Sequence, residues 1–328
     1  MSVFYNIPSK EKKQIFQQVA NETGLPAHNV EKDWWVVQTL SLVFGLDAGP
    51  HLVFKGGTSL SKSWGIIHRF SEDVDLAVDR AFLGFEGDLS KKQLTKLRKA
   101  SSAYIIDEFA PSLQKSFDSI GMNEVQVSVI ETTESDQDPK LVEVHYPYTV
   151  DYPDYIKPRI LLEIGCRSLI EPYTACNIHS LVDNQYPDAV FATPAITVPS
   201  VNPERTFLEK IFLLHEEFQK DEMRSERMSR HLYDLYKLKQ QQDCLDAIAD
   251  EELYATIVSH RRQFTRLKDV DYEKHKRESI DPIPPERVYE QYRQDYDEMC
   301  ENMISENAPS FDQLMEEILD LKQLINQP

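Results

Sequence analysis

The sequence predicts an α+β protein, and three observations carry that expectation. An extended apolar run, HLVFKGG, meets a double glycine at Gly56 and Gly57; a stretch suited to a helix follows, and then the branched strand VDLAV. Four more strand-like runs appear before residue 202. From Pro203 onward the apolar residues recur at helical spacing, as in TFLEKIFLLHEEFQK, where Phe207, Ile211, Leu214 and Phe218 fall on one face.

In chain order, KEKKQIFQQVANETG and VEKDWWVVQTLSLVFG each carry an apolar face and end on glycine, so residues 10 to 45 read as helices. They form an N-terminal helical cap over 1–45, whose Trp34 and Trp35 are expected to pack it on the sheet; base stacking by Trp35 is the alternative. A polar helix is predicted near 90 to 118, followed by strands in VQVSVIET, LVEVHYPY, KPRILLEIG and AITVPSV. A core of mixed sheet and flanking helices therefore spans 46–202, and a helical domain spans 203–328. Within that domain DPIPPE makes a turn, and Tyr289, Tyr292, Tyr296, Met299 and Met303 stripe one further helix as core residues.

The composition narrows the function classes. Apolar residues make up 41% and aromatic residues 10%, which suits a globular chain and not a disordered one. No run approaches the roughly 20 apolar residues of a spanning helix, and MSVFYNIPSKEKK lacks the apolar stretch of a signal peptide, so the expectation is a cytoplasmic protein with no membrane contact. Cys166, Cys176, Cys244 and Cys300 stand far apart without a CxxC pair, and read as buried thiols. The net charge of −19 opposes nonspecific coating of nucleic acid, which rewards basic surfaces. Residues 241 to 328 hold 21 Asp and Glu against 10 Lys and Arg, an acidity that serves solubility or faces a basic partner.

The chemistry concentrates in FKGGTSLSKSWGIIHRFSEDVDLAV. Asp73 and Asp75 stand two apart on a predicted strand and so share a face, where two carboxylates can hold a divalent cation. A solvated acidic strand is the plainer reading of that pair taken alone. Ahead of it, Gly56 and Gly57 let backbone approach a phosphate, and the hydroxyls of Thr58 and Ser59 either bind a phosphate oxygen or cap the helix. Arg69 can neutralise phosphate through its paired donors, with Lys55 and Lys62 as lesser candidates.

Gly-Gly-Thr-Ser followed by Ser-Glu-Asp-Val-Asp-Leu resembles the first motif of polymerase-beta-like nucleotidyltransferases. More narrowly, VEKDWWVVQTL and FKGGTSLSKSWGIIHRFSEDVDL resemble the AbiEii/AbiGii toxin family of type IV toxin–antitoxin and abortive-infection (phage-defence) systems. The match is specific over residues 30 to 80 and returns at Lys210 in TFLEKIFLLHE and at Asp234 in RHLYDLYKL; residues 85 to 155 match only by pattern. The resemblance implies a metal-dependent transferase that uses a nucleoside triphosphate (NTP) with Mg2+ or Mn2+. It further implies a tRNA end as acceptor, blocked translation and a cognate antitoxin. A small-molecule nucleotidyltransferase, or a catalytically silent binding module of the same fold, remains open as an alternative.

Under that reading Asp73, Asp75 and Glu163 hold the metal, Glu163 being the polar residue in the apolar strand KPRILLEIG. Gly56, Gly57, Thr58, Ser59, Arg69 and Lys210 bind the nucleotide, while Asp234 orients Lys210 or the acceptor. Lys210 projects from near a buried face, where lysine is rare without a partner, and a purely structural Lys210–Asp234 ion pair joining two helices is the alternative. Surface exposure is the alternative for Glu163. Arg224, Arg227 and Arg230 are either part of a basic groove or a solvated face. Ser71, just before the carboxylate pair, is a candidate for self-modification.

Overall fold

A computed structural model of the chain describes residues 3–69, 73–132, 136–153, 156–304 and 307–327. Ser71 lies outside the described residues. The chain divides into two compact units, Met1–Ser63 with Ser71–Ser200, and Trp64–Phe70 with Val201–Pro328.

The first unit opens with α1 (Ser9–Thr23) and α2 (Ala27–Phe44). Gly24, at φ +72°, ends α1 in the left-handed conformation that glycine adopts without strain. The strand β1 (Leu52–Lys55) runs straight into α3 (Gly56–Lys62), which is shorter than its sequence suggests, and β2 (Asp73–Val78) follows. The expected polar helix is α4 (Lys91–Tyr104), a π-helical turn at Ile105–Phe109 and α5 (Ala110–Ser119), with Ser90 and Gln93 forming a reciprocal cap at its start. Next come β3 (Gln126–Val129), β4 (Lys140–His145), β5 (Arg159–Gly165), β6 (Tyr173–Ile178), α6 (Leu181–Gln185) and β7 (Ile196–Val201). The sequence reading missed β6 and α6. The exposed strand β6 has no buried alternation to announce it, since its first three residues all face solvent.

Among the described residues seven strands form one mixed sheet in the order β3-β4-β5-β2-β1-β7-β6. The strand β2 pairs antiparallel with β1 and parallel with β5, so it lies near the middle. One face is apolar: Phe54, Val74, Leu76, Ile160, Leu162, Ile164, Val142 and Val144 are all buried, and α2 and α5 pack against the sheet. Alternation turns their neighbours Lys55, Asp73, Asp75, Glu163 and Glu143 to the opposite, polar face.

The tryptophans of α2 pack as expected. Trp35, 2% exposed, stacks on Tyr146 with ring centroids 4.9 Å apart, while Trp34 meets Phe4 at 5.0 Å. Trp35 is thereby committed to the core and not to stacking on a base. The charged residues beside them clamp loops: Glu31 accepts the backbone N–H and hydroxyl of Thr149, both at 2.8 Å, and Lys32 donates to the carbonyl of Lys157 just before β5.

The second unit is helical: α7 (Pro203–Glu217), α8 (Ser229–Leu238), α9 (Gln242–Ala249), α10 (Glu251–His260), α11 (Glu286–Met303) and α12 (Phe311–Ile325). The helix α8 packs against α7, α11 and α12, burying Leu232, Tyr233, Leu235 and Leu238. Of the stripe on α7, Phe207, Ile211 and Leu214 are buried, and Phe218 meets Tyr292 edge-on at 5.5 Å. Tyr292, Tyr296, Met299 and Met303 of α11 are core residues. All four cysteines are free thiols; Cys166 and Cys244 are buried, whereas Cys176 and Cys300 are half-buried, short of the full burial expected.

Candidate active site

Two strands and one turn of the first unit bring together the residues of the glycine–carboxylate motif. In β2, Val74 and Leu76 are buried in the apolar face, which turns Asp73 and Asp75 to the polar one, where both are partly exposed. Asp75 stands opposite Glu163 in the parallel register of β2 and β5, and opposite Lys55 in the antiparallel register of β1 and β2. Directly paired residues of neighbouring strands point to the same side. Asp73, Asp75 and Glu163 therefore share one face, and Glu163 is half-buried.

The turn between β1 and α3 is fitted closely to that face. Gly56 has φ +76°, and a Cβ placed on it would lie 2.0 Å from Oδ2 of Asp75. Only glycine admits both the backbone conformation and the approach of the carboxylate. Thr58 donates its hydroxyl to the backbone carbonyl of Asp73, tying α3 to the start of β2. It therefore neither caps the helix, whose N-cap residue is Lys55 with no side-chain cap, nor is its proton directed to a ligand. Ser59 is 2% exposed, and its hydroxyl has no hydrogen-bond partner among the described residues. A buried polar atom in that state is costly unless something else satisfies it.

These donors suit a small hard cation. Among the described residues no group of three or more His, Cys, Asp or Glu side chains is arranged as a metal cage. Magnesium is typically held by one or two carboxylates together with waters and substrate phosphates. Asp73 and Asp75 on one face, with Glu163 across from Asp75, match that chemistry.

The second unit holds a buried ionic cluster. Asp234 of α8 is 0% exposed; it accepts from Nε and Nη2 of Arg69 at 2.8 Å each, and its Oδ2 lies 2.9 Å from Nζ of Lys210. Burial opposes ionisation of Asp234, but Arg69 and then Lys210 outweigh it and hold the carboxyl well below its usual range. Burial pulls the Lys210 ammonium downward against the attraction of Asp234, and Arg69 adds to the fall. His231 Nδ1 lies 3.4 Å from Lys210 Nζ, and burial followed by the nearby Lys210 charge holds that imidazole neutral. The Lys210–Asp234 pair is thus real, and Arg69 joins it through a bidentate contact that residue spacing did not reveal.

Two other expected cations are engaged within the protein. Lys62 donates to Asp33 at 2.5 Å. Arg224 donates to the buried Glu217, which also accepts the backbone N–H of Arg224 at 2.8 Å. Asp295 accepts the backbone N–H groups of Arg227 and Ser229 and so secures the start of α8. Sequence reasoning missed Asp33, Glu217 and Asp295 because each acts on a partner 7 to 68 residues away.

A mixed sheet carrying a paired-carboxylate strand beside a glycine turn is the frame of a nucleotidyl-transfer enzyme. Residues 44–317 match the family model described as "Nucleotidyl transferase AbiEii toxin, Type IV TA system", and the chain belongs to this family of nucleotidyltransferase toxins of type IV toxin–antitoxin systems. Among solved structures, MenT4, a nucleotidyltransferase toxin from Mycobacterium tuberculosis, is similar over 96% of this chain and 99% of its own. The identity is 14% and the TM-score 0.45. No curated protein matches the sequence. No helix among the described residues is long and apolar enough to cross a membrane.

Proposed function

We propose that this nucleotidyltransferase moves a nucleoside monophosphate from an NTP to the 3′-terminal hydroxyl of a tRNA, blocking translation until a cognate antitoxin restrains it. The observation that carries the reading is the shared face of Asp73, Asp75 and Glu163 beside the Gly56 turn. Its substrates, NTP and tRNA, belong to the cytoplasm.

In the reaction the acceptor oxygen bonds to the α-phosphorus as the bond to the bridging oxygen breaks, and pyrophosphate leaves. Asp73, Asp75 and Glu163 would hold Mg2+ or Mn2+, which lowers the pKa of the attacking hydroxyl and neutralises charge on the leaving group. Asp73 and Asp75 share the strand, so one backbone sets both carboxylates. Gly56 and Gly57 present backbone close to the phosphates. Thr58 acts there by holding the turn on Asp73.

Within the second unit, Lys210 is held in the buried ionic cluster. Its ammonium has three donors, directed in part to Asp234 and His231. Asp234 orients Lys210, and Arg69 fixes Asp234.

The test is incubation of wild type and Asp75→Ala with each labelled NTP, magnesium and total RNA, resolved on a denaturing gel. Label on a tRNA-sized band with wild type alone, lost on chelation of the metal, is the expected result. Unlabelled RNA with every nucleotide would overturn the tRNA acceptor. The net charge of −19 favours a cationic small molecule as the next acceptor to assay.

A further inference from the structure

The Gly56–Ser59 turn belongs to a helix that cannot fix its own direction. The helix α3 has seven residues, too few to be stable alone, so its orientation is set by what anchors it. Three anchors lie in the sheet: Gly56 against the Asp75 carboxylate, the Thr58 hydroxyl on the Asp73 carbonyl, and the Ser63 hydroxyl 2.7 Å from that of Ser200. The fourth reaches out of the sheet to α2. Lys62, the last residue of α3, donates to Oδ1 of Asp33 at 2.5 Å, while Oδ2 of Asp33 accepts the backbone N–H of Leu181 at 2.7 Å.

This ion pair is shielded, the Lys62 and Asp33 side chains being 12% and 11% exposed. Burying two charges costs desolvation that an apolar pair would avoid, so the pair adds little to stability, and its value lies in the direction it enforces. A cation in the last turn also complements the helix dipole. Asp33 meanwhile has each oxygen committed to a different segment, which leaves its carboxylate a single orientation.

We infer that Asp33 is a positioning residue for nucleotide binding: through Lys62 it sets the angle of α3 and with it the Gly56–Ser59 turn against the carboxylates of β2. The inference rests on the phosphate-binding reading of that turn. It also explains why Lys62, a cation near the motif, is held by α2 and not offered to a phosphate.

Equilibrium titration of each NTP in magnesium, on wild type, Asp33→Asn, Lys62→Met and the double variant, tests it. A tilted turn raises Kd about tenfold at unchanged stoichiometry, since small misplacements of a positioned group are costly. The double variant then matches the worse single one, because both break one tether. A merely structural role lowers the fraction of protein that binds and leaves Kd alone, and that result overturns the inference. Lys62→Met keeps the trial fair if Asp33→Asn folds poorly, for the Asp33 carboxylate it leaves behind still accepts the Leu181 N–H. Wild type that binds no NTP overturns the proposed function and this inference with it. Wild-type binding with unchanged Kd in both single variants overturns this inference alone.

Discussion

The carboxylate of Asp75 lies where a side chain on Gly56 would stand, with Oδ2 2.0 Å from the position of the missing Cβ. The glycine turn and the acidic strand are therefore one fitted unit, not two motifs that happen to be neighbours in sequence.

Gly56→Ala should consequently damage activity far more than stability. Alanine at φ +76° costs about 1–2 kcal/mol in backbone strain. The new methyl group also displaces the Asp75 carboxylate, and nucleotide transfer should fall at least about a hundredfold. Thermal unfolding and labelled transfer on the same preparation separate the two effects. Equal, modest losses in both would mean that Asp75 works equally well from another rotamer.

The carboxylates themselves can be removed at little structural cost. Asp75→Asn and Asp73→Asn should each lower transfer by about two to three orders of magnitude. Their positions on the partly exposed face predict stability changes within about 0.5 kcal/mol. Glu163→Gln keeps the shape and removes the charge, and transfer should fall while folding is retained. Full activity in that variant would remove Glu163 from the donor set.

Asp234 behaves in the opposite way. Asp234→Ala leaves Arg69 and Lys210 buried without their shared carboxylate, which should cost about 3–5 kcal/mol. Lys210→Met removes one cation but leaves Asp234 its bidentate Arg69, so the loss should be smaller. Urea denaturation of both variants gives the order. If Lys210→Met were as unstable as Asp234→Ala, Arg69 would not be the principal partner of Asp234.

Acid should destabilise the protein before ordinary carboxylates titrate. Burial, helped by His275, pushes His215 down to about 4 from its ordinary 6.5. Between those values the unfolded chain binds a proton that the folded one refuses, so stability rises with pH across that window and is lost as pH falls through it. The shift corresponds to a loss on the order of 3 kcal/mol on passing from pH 7 to below 4. His231, also held low by burial, acts in the same direction. His215→Gln retains an acceptor for the Asp281 N–H that His215 Nδ1 now binds and removes the titration. Its melting temperature should therefore fall less than that of wild type between pH 7.5 and 5; an equal fall would leave His215 without a role.

The local elements were largely legible in the sequence because each is announced within a few residues. Glycine stops mark the ends of α1 and α2, the branched residues of VDLAV give β2, and helical spacing gives α7. The pairing of Asp73 with Asp75 on one face follows from strand geometry alone. By contrast β6 is too exposed to show a burial pattern, and α6 is only five residues long.

What the sequence by itself determined was the α+β class, the order of elements and the residue types that carry the chemistry, since periodicity and glycine turns act over short distances. Tertiary structure alone decided which partner each charge meets: Glu163 across from Asp75, Lys62 on Asp33, and Arg69 on Asp234. Those pairings join residues 29 to 165 positions apart, where strand order and helix packing, and not local spacing, determine what comes within hydrogen-bond reach.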